Sequence, residues 1–423
     1  MSASYARVLR IPHARRTFAA ALTGRLSYGI VPLSVMLAVT RASGSYAVAG
    51  VVMALFSGTS VFLSPVRASL IDRHGPRRAL VPMAGAYVAL LGLLTVTVWR
   101  PGAASPLVLG AVTAAAGACT PPLGPTMRAV WGRLAPERAL LQRAYSLDGV
   151  AEELLFVFGP LLVGVVVGVA PPAVGIIVGA ALMAAGTAAF VSSPAVRDVR
   201  PGDTGAASRG KGRRRVLRGV RRPVIAAAGV GLALGVADLL VVAFAEGHGH
   251  GDDSVAWVLA ALSAGSAVGG LVNGAVAWRS SAGVRLPLLA AGLGLALLGA
   301  GLAPGLGTLA ALMAVAGLFV APAITTAYLI ADESAAPEVR VQAGAWVNTA
   351  VNAGATAGAA VAGVLVGPLS TGWSFATAGA VTLLAAAAAA RGATHHGGAP
   401  ADVGDGGAVA ADRRQSSSPS RSS

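Results

Sequence analysis

Three carboxylates stand in a stretch that is otherwise almost wholly apolar: Asp148, Glu152 and Glu153 in AYSLDGVAEELLFVFGPLLVG. On a helix of 3.6 residues per turn Asp148 and Glu152 share a face, and Glu153 points about 100° away. A second apolar stretch holds one cation, Arg25. If the two helices begin near Thr17 and Tyr145, the helical rise sets Arg25 about 12 Å and Glu152 about 10 Å deep, a common level at which they can pair. Two chemistries fit. One is a structural ion pair between the helices; the other is a carboxylate that exchanges a proton or meets a cationic substrate, because burial and a charged partner tune such a group. Asp238 in ALGVADLLVV is costly in an apolar run and fits a position facing a cavity. Asn348 and Asn352, spaced i, i+4, either face the same cavity or bond a neighbouring helix. EGHGHGDD, from Glu246 to Asp253, gathers His and acid side chains, but its glycines make it a solvated loop rather than a metal site. The histidines His13, His74, His248, His250, His395 and His396 all fall outside the apolar runs, and no nucleophile constellation or paired metal ligands occur within them. Enzymatic catalysis is therefore not expected.

The elements that hold these groups follow from composition. Of 423 residues 55% are hydrophobic and 12% charged, with a mean hydropathy of +0.72; soluble domains are roughly 45–50% apolar. With 56 glycines and only 5% aromatics the chain suits helices packed closely through small side chains. Cys119 is the single cysteine, so no intramolecular disulfide exists. Apolar runs lie at about 17–40, 46–69, 80–99, 106–128, 145–168 and 171–192, then 223–245, 254–278, 284–303, 306–330, 342–366 and 370–390. Each is near the ~20 residues that cross a bilayer. The pattern predicts an all-α membrane protein of twelve spans in two sixes: an N-terminal segment 1–16, a bundle over 17–192, a basic linker 193–222, a second bundle over 223–391 and a disordered tail 392–423.

The net charge of +15 has a topological cause. Nearly all Lys and Arg residues lie in alternate segments: the N-terminus, the loops after spans 2, 4, 6, 8 and 10, and the tail. Arg41 and Arg100 lie in the opposite loops, and Arg25 lies inside span 1. Positive charge marks cytoplasmic loops, so both termini are expected in the cytoplasm and no nucleic-acid partner is expected. The first apolar run is too long for a signal peptide and lacks a cleavage site. The linker, with RGKGRRRVLRGVRRP, is expected to lie on anionic headgroups.

The two halves resemble each other. FSGTSVFLSPVRASLIDRHGPRR aligns with SAGSAVGGLVNGAVAWRSSAGVR, which sets Gly58 against Gly265, Asp72 against Arg279 and Arg78 against Arg285; further on, Pro121 meets Pro322 and APE at Ala135 to Glu137 meets APE at Ala336 to Glu338. Parallel six-helix repeats with a site between them are one build of secondary transporters. The turn after span 2, ASLIDRHGPRRAL, resembles the signature of the major facilitator superfamily, approximately G-x-x-x-D-R-x-G-R-R-x-x-L. Asp72, Arg73, Gly75, Arg77, Arg78 and Leu80 match, while Ala68 and Pro76 depart from it. The resemblance implies that this loop locks the cytoplasmic gate when the protein faces outward. Physically, Gly75 and Pro76 suit a tight turn and the arginines hold it at the cytoplasmic face. Asp72 could accept hydrogen bonds from a helix N-terminus or from arginines, as a latch that opens in one state; Asn273, at the inner end of span 8, belongs with that gate.

FGPLLVG, with Gly159, Pro160 and Gly164, resembles part of the glycine-proline motif of the superfamily's proton-coupled exporters, with Leu155 and Val163 departing from it. The arginine that many proton-coupled members carry within span 4 is missing, since LVLGAVTAAAGACTPPLGP is uncharged up to Arg128 at its inner end. Attention passes to Arg25 and Glu152. Pro121, Pro122, Pro125 and Pro322 are expected to bend spans 4 and 10 at matching points. The expected protein is a proton-linked exporter of small amphipathic molecules, a monomer in a bacterial cytoplasmic (inner) membrane whose partners are the substrate, protons and lipid, without cofactor or metal. An uptake symporter for a sugar or other metabolite, and a transport-inactive sensor, are the alternatives.

Overall fold

The computed structural model describes residues 5–100, 105–197, 209–365 and 370–391. The tail from 392 onwards and the linker stretch 198–208 lie outside the described residues. In an apolar layer every backbone N–H and C=O needs an internal partner, which helices supply within one segment. Accordingly the described residues are helices joined by short connections, with no strand among them.

The first half begins with a short α1 (Tyr5–Leu9) and continues with α2 (Ala14–Ser43), α3 (Tyr46–Phe62), α4 (Ser64–His74), α5 (Pro76–Trp99), α6 (Pro106–Cys119), α7 (Leu123–Leu134), α8 (Arg138–Val169) and α9 (Pro172–Ser192). After a four-residue α10 (Pro194–Arg197) come α11 (Arg209–Gly247), α12 (Asp252–Ala275), α13 (Ala282–Ala300), α14 (Leu306–Ser334), α15 (Arg340–Leu365) and α16 (Thr371–Arg391). The pair α3–α4 is one span bent by 40°, and α6–α7 is one span interrupted at residues 120–122, so the helices make twelve spans in two sets of six. Among the described residues ten helices can cross a bilayer by length and apolarity, and the bent pair makes an eleventh. The twelfth is α15, whose apolar character is diluted by Asn348, Thr349, Asn352 and Thr356.

Local chemistry sets the breaks. The Ser45 and Ser105 side chains accept from Val48 N and Val108 N and start α3 and α6. Gly75, at φ 82°, makes the turn between α4 and α5, and Pro76 opens the next helix. The α6–α7 interruption follows from Pro121 and Pro122. A residue before proline is pushed out of the helical region, and Thr120 sits at ψ 116°.

Several boundaries differ from those expected. Span 2 runs to His74 rather than 69, and span 4 to Leu134 rather than 128, because the polar residues that mark a membrane edge continue the helix. Span 5 starts at Arg138, and α11 starts at Arg209, so the C-terminal part of the expected linker is helix continuous with span 7 and Pro223 lies inside it. Spans 4 and 10 do not bend alike. The α14 helix passes through Pro322 unbroken, since one proline removes one hydrogen bond, whereas adjacent prolines remove two and constrain both preceding residues.

Small residues seal the seams. A Cβ at Gly231 or Gly235 on α11 would overlap the α15 backbone at Val351 or Ala355, and one at Gly354 or Gly358 would overlap α11 at Ala228 or Leu232. The two backbones touch without intervening side chains. Gly354→Leu should therefore lower the stability of the purified protein by about 1–3 kcal/mol or more, the usual cost of overpacking. Gly164→Ala, which faces open space within α8, should hold or slightly raise the thermal midpoint in the same melting measurement.

Candidate functional site

The end of the molecule that carries α1 and the α4–α5 turn, called here the basic end, is where the two bundles are stapled together. Asp72, near the C-terminus of α4, accepts from Val341 N at 3.2 Å and from Gln342 N at 2.8 Å. These amides belong to the first turn of α15, where N–H groups lack helical partners and the helix dipole favours an anion. Arg73, Arg77 and Arg78 are exposed around the turn. In the second half, the position aligned with Asp72 is the exposed Arg279, and the polarity of the contact reverses. There, donors on α8 serve the last carbonyls of α12: Gln142 Nε2 donates to Asn273 O and Arg143 to Ala275 O at 3.4 Å, while Arg285 holds the Gln142 oxygen at 3.1 Å. The Asn273 side chain reaches Ser146 at 3.5 Å. Further across the same end, Tyr5 OH donates to Leu271 O at 2.6 Å and Arg138 pairs with Glu333 at 3.0 Å. Among the described residues, every hydrogen bond and ion pair that joins the bundles lies between the basic end and mid-span.

Deeper in the first bundle, two arginines and two carboxylates form a closed set. Arg25 on α2 meets Asp148 at 2.8 Å and Glu152 at 3.0 Å. Arg128 on α7 meets Asp148 at 3.0 Å and also donates to Glu152. The formal charges cancel, as burial demands. The Arg25 and Asp148 side chains are wholly buried, whereas the Glu152 side chain is 26% exposed. Glu152 is thus the most exposed member of the set. The set also touches the other bundle: the Arg128 guanidinium lies 3.9 Å over the ring of Tyr328 on α14, a cation–π contact, and Tyr328 OH donates to Asn348 Oδ1 at 3.3 Å.

Arg25, Asp148 and Glu152 therefore come together, with Arg128 as the member that sequence reasoning sets aside. The hydropathy pattern puts Arg128 at the inner end of span 4, but α7 continues six residues past it, which buries it inside the bundle. An arginine thus does stand within span 4. The signal available is a requirement for neutrality: two carboxylates on one face with a single cation leave one charge unpaired. Glu153 stands apart from the set and accepts from Ser266 on α12 at 3.0 Å. Asp238 is exposed and makes no ion pair among the described residues. Asn352 donates to Asn348 O at 2.8 Å and its own carbonyl accepts from Thr356, so its side chain bonds along α15. Gly159 is a close-approach point, since its Cβ would lie 2.6 Å from the Gly29 backbone on α2. Pro160 is exposed inside an unbroken α8, and Gly164 faces open space.

Twelve spans in two bundles, stapled at one end and holding a neutral ion set beside their interface, are the build of a membrane transporter. The Major Facilitator Superfamily model matches residues 17–251 and 223–412, and the chain belongs to that superfamily, whose members are transporters. Among solved structures, the human organic anion transporter MFSD10 (TETRAN) superposes with a TM-score of 0.71 at 15% identity, covering 89% of this chain and 99% of that one. A bacterial homologue of the iron transporter ferroportin, in an outward-facing state, gives 0.67 at 14% identity over 89% of this chain and 97% of its own. The E. coli fucose:proton symporter FucP gives 0.65 at 14%, over 90% and 99%. At these identities the likeness is one of fold. No curated protein sequence matches the chain.

The charge balance predicts a pattern of losses. Arg128→Met leaves the buried set with net negative charge and should destabilise by about 3–5 kcal/mol, as breaking a buried pair does. Adding Glu152→Gln restores neutrality around Arg25 and Asp148 and should recover part of that loss. Thermal unfolding of the two variants in detergent measures both.

Proposed function

We propose that the protein is a secondary active transporter that works by alternating access and exports small amphipathic molecules in exchange for protons, with Glu152 as the coupling carboxylate. It sits in the cytoplasmic membrane of a bacterium as a monomer with both termini in the cytoplasm, so the stapled basic end faces the cytoplasm and the conformation is outward-facing. The observation that carries the reading is Glu152 itself. It is the accessible member of an otherwise buried neutral set, and its partner Arg128 stacks on Tyr328 of the other bundle.

A proton arriving at Glu152 from outside cancels one of the two negative charges. Arg128 then loses a charge partner, the set gains net positive charge, and the clasp between Arg128 and Tyr328 is re-weighted. Binding at one carboxylate thereby biases the packing of one bundle on the other, which is what alternating access requires. On the cytoplasmic side the Asp72 contact is the latch: two amides of α15 hold one carboxylate, and all three separate when that end opens. After opening, the substrate enters from the cytoplasm, the proton leaves Glu152 to that side, and the restored ion set favours return.

Two measurements test this. In cells expressing the chain, a panel of amphipathic dyes should be extruded in a pH-gradient-dependent manner, and Glu152→Gln should abolish that extrusion while exchange between preloaded and external dye continues. Gradient-driven extrusion at the wild-type rate in Glu152→Gln removes Glu152 from coupling, and dye accumulation in place of extrusion favours uptake symport. Separately, Asp72→Asn should raise the labelling of thiols introduced along the basic end by about tenfold, in line with loss of a charge-assisted contact. An unchanged labelling pattern at both ends would refute the latch.

A further inference from the structure

We infer that Arg67 is a positioning residue that links the Asp72 latch to the four-charge set by pinning the breaks of two spans to each other. The inference rests on the reading of Asp72 as latch and Glu152 as coupling group. In an α-helix the N–H of residue i donates to the carbonyl of residue i−4, so each proline leaves one carbonyl without that partner. Pro121 orphans Gly117 O, Pro122 orphans Ala118 O, Pro125 orphans Pro121 O and Pro65 orphans Val61 O. Inside a bilayer each such group is costly.

Side chains from other helices fill these vacancies. Arg67, on α4 and only 5% exposed, donates to Gly117 O at 2.8 Å and to Ala118 O at 2.9 Å. Its other terminal nitrogen donates to Ser60 O at the bend between α3 and α4. Tyr28 OH donates to Pro121 O and accepts from Leu123 N at 3.1 Å. Thr349 of α15 donates to Val61 O at 3.0 Å. Local bonds from Thr120 N to Gly117 O and from Leu123 N to Pro121 O add weaker support, but Ala118 O depends on Arg67. Among the described residues Arg67 makes no ion pair. Both terminal nitrogens of this buried cation are thus directed at the carbonyls of two broken helices.

Where those helices lead turns a satisfied hinge into a linkage. Five residues beyond Arg67, about 7.5 Å along the rigid α4, Asp72 caps α15. Beyond the hinge in the other direction, α7 carries Arg128 to Asp148 and Glu152. On α2, Tyr28 holds the hinge and Arg25, one turn away, holds the same two carboxylates. When Asp72 leaves α15, α4 moves as a unit and Arg67 carries the α6–α7 break with it, which shifts Arg128. By reciprocity, a change of charge at Glu152 acts back through Arg128, the break and Arg67 on the latch. Among the described residues the second half has no such pin: Gly274 stands where Arg67 aligns, and α14 is unbroken.

The test uses the full chain with Cys119→Ala and one reporter, Gln342→Cys, whose backbone rather than side chain meets Asp72. The readout is the rate at which a maleimide labels the introduced thiol in purified protein. Glu152→Gln is expected to change that rate by about tenfold when Arg67 is present, and by less than about twofold in Arg67→Met, the difference being the coupling that a double-mutant cycle isolates. Arg67→Met combined with Pro121→Ala and Pro122→Ala returns two N–H donors to Gly117 O and Ala118 O. It should be monodisperse even if the single variant is not, and its response should still be absent. A response of full size in either Arg67 variant overturns the linkage and leaves the coupling role of Glu152 standing. No response with Arg67 present overturns that role instead, and the linkage with it.

Discussion

Two arginines and two carboxylates can persist inside an apolar layer only as a neutral, mutually bonded set, and the first bundle is arranged around that requirement. Arg25, Arg128, Asp148 and Glu152 come from three helices, so α2, α7 and α8 have to approach one another at one depth. Gly29 and Gly159 bring the α2 and α8 backbones together, and the proline break lets α7 leave the line of α6. A buried ion set contributes little to stability relative to an apolar replacement. Under the proposed function its presence is that of a switch, because adding or removing one proton at Glu152 would upset a balance that the surrounding packing holds.

The two halves share a span pattern but divide the work. The first carries the broken span 4, the bent span 2 and the ion set. The second offers α11 and α15 in backbone contact along their glycines, and an unbroken α14 that presents Tyr328 to Arg128. Their contacts use helix ends with opposite polarity. A carboxylate of the first half meets the amides that begin α15, and amide and guanidinium donors of the first half meet the carbonyls that finish α12. Each exploits backbone groups that a helix terminus leaves unpaired.

Hydropathy makes the spans legible, and a common depth makes the meeting of Arg25 with Glu152 legible from sequence alone. Arg128 is not, because an arginine near the end of an apolar run reads as the membrane edge; only the continuation of α7 to Leu134 buries it. The helical start of α11 is hidden for a similar reason, since a proline and a cluster of arginines read as a linker. The partners of Asp72 lie some 270 residues away and are backbone amides, which leave no trace in residue type. Arg67 has the opposite character. The adjacent prolines by themselves imply orphaned carbonyls, although nothing in the sequence says which donor reaches them.

That Asp72 meets amides rather than a guanidinium bears on how the proposed latch would let go. An arginine partner sits on a long flexible side chain and could follow the carboxylate through the first few ångströms of separation. Amides fixed in the first turn of α15 cannot follow, so a small rotation of α4 against α15 breaks both bonds together. The geometry is that of a contact that, in the proposed cycle, would be either made or broken. Several modest contacts, among them Gln142 with Asn273 and Tyr5 with Leu271, share the rest of the closure at that end. In the proposed cycle, a closure made of separable bonds of order 1 kcal/mol each would keep the two conformations within reach of the few kcal/mol that one proton or one substrate can supply.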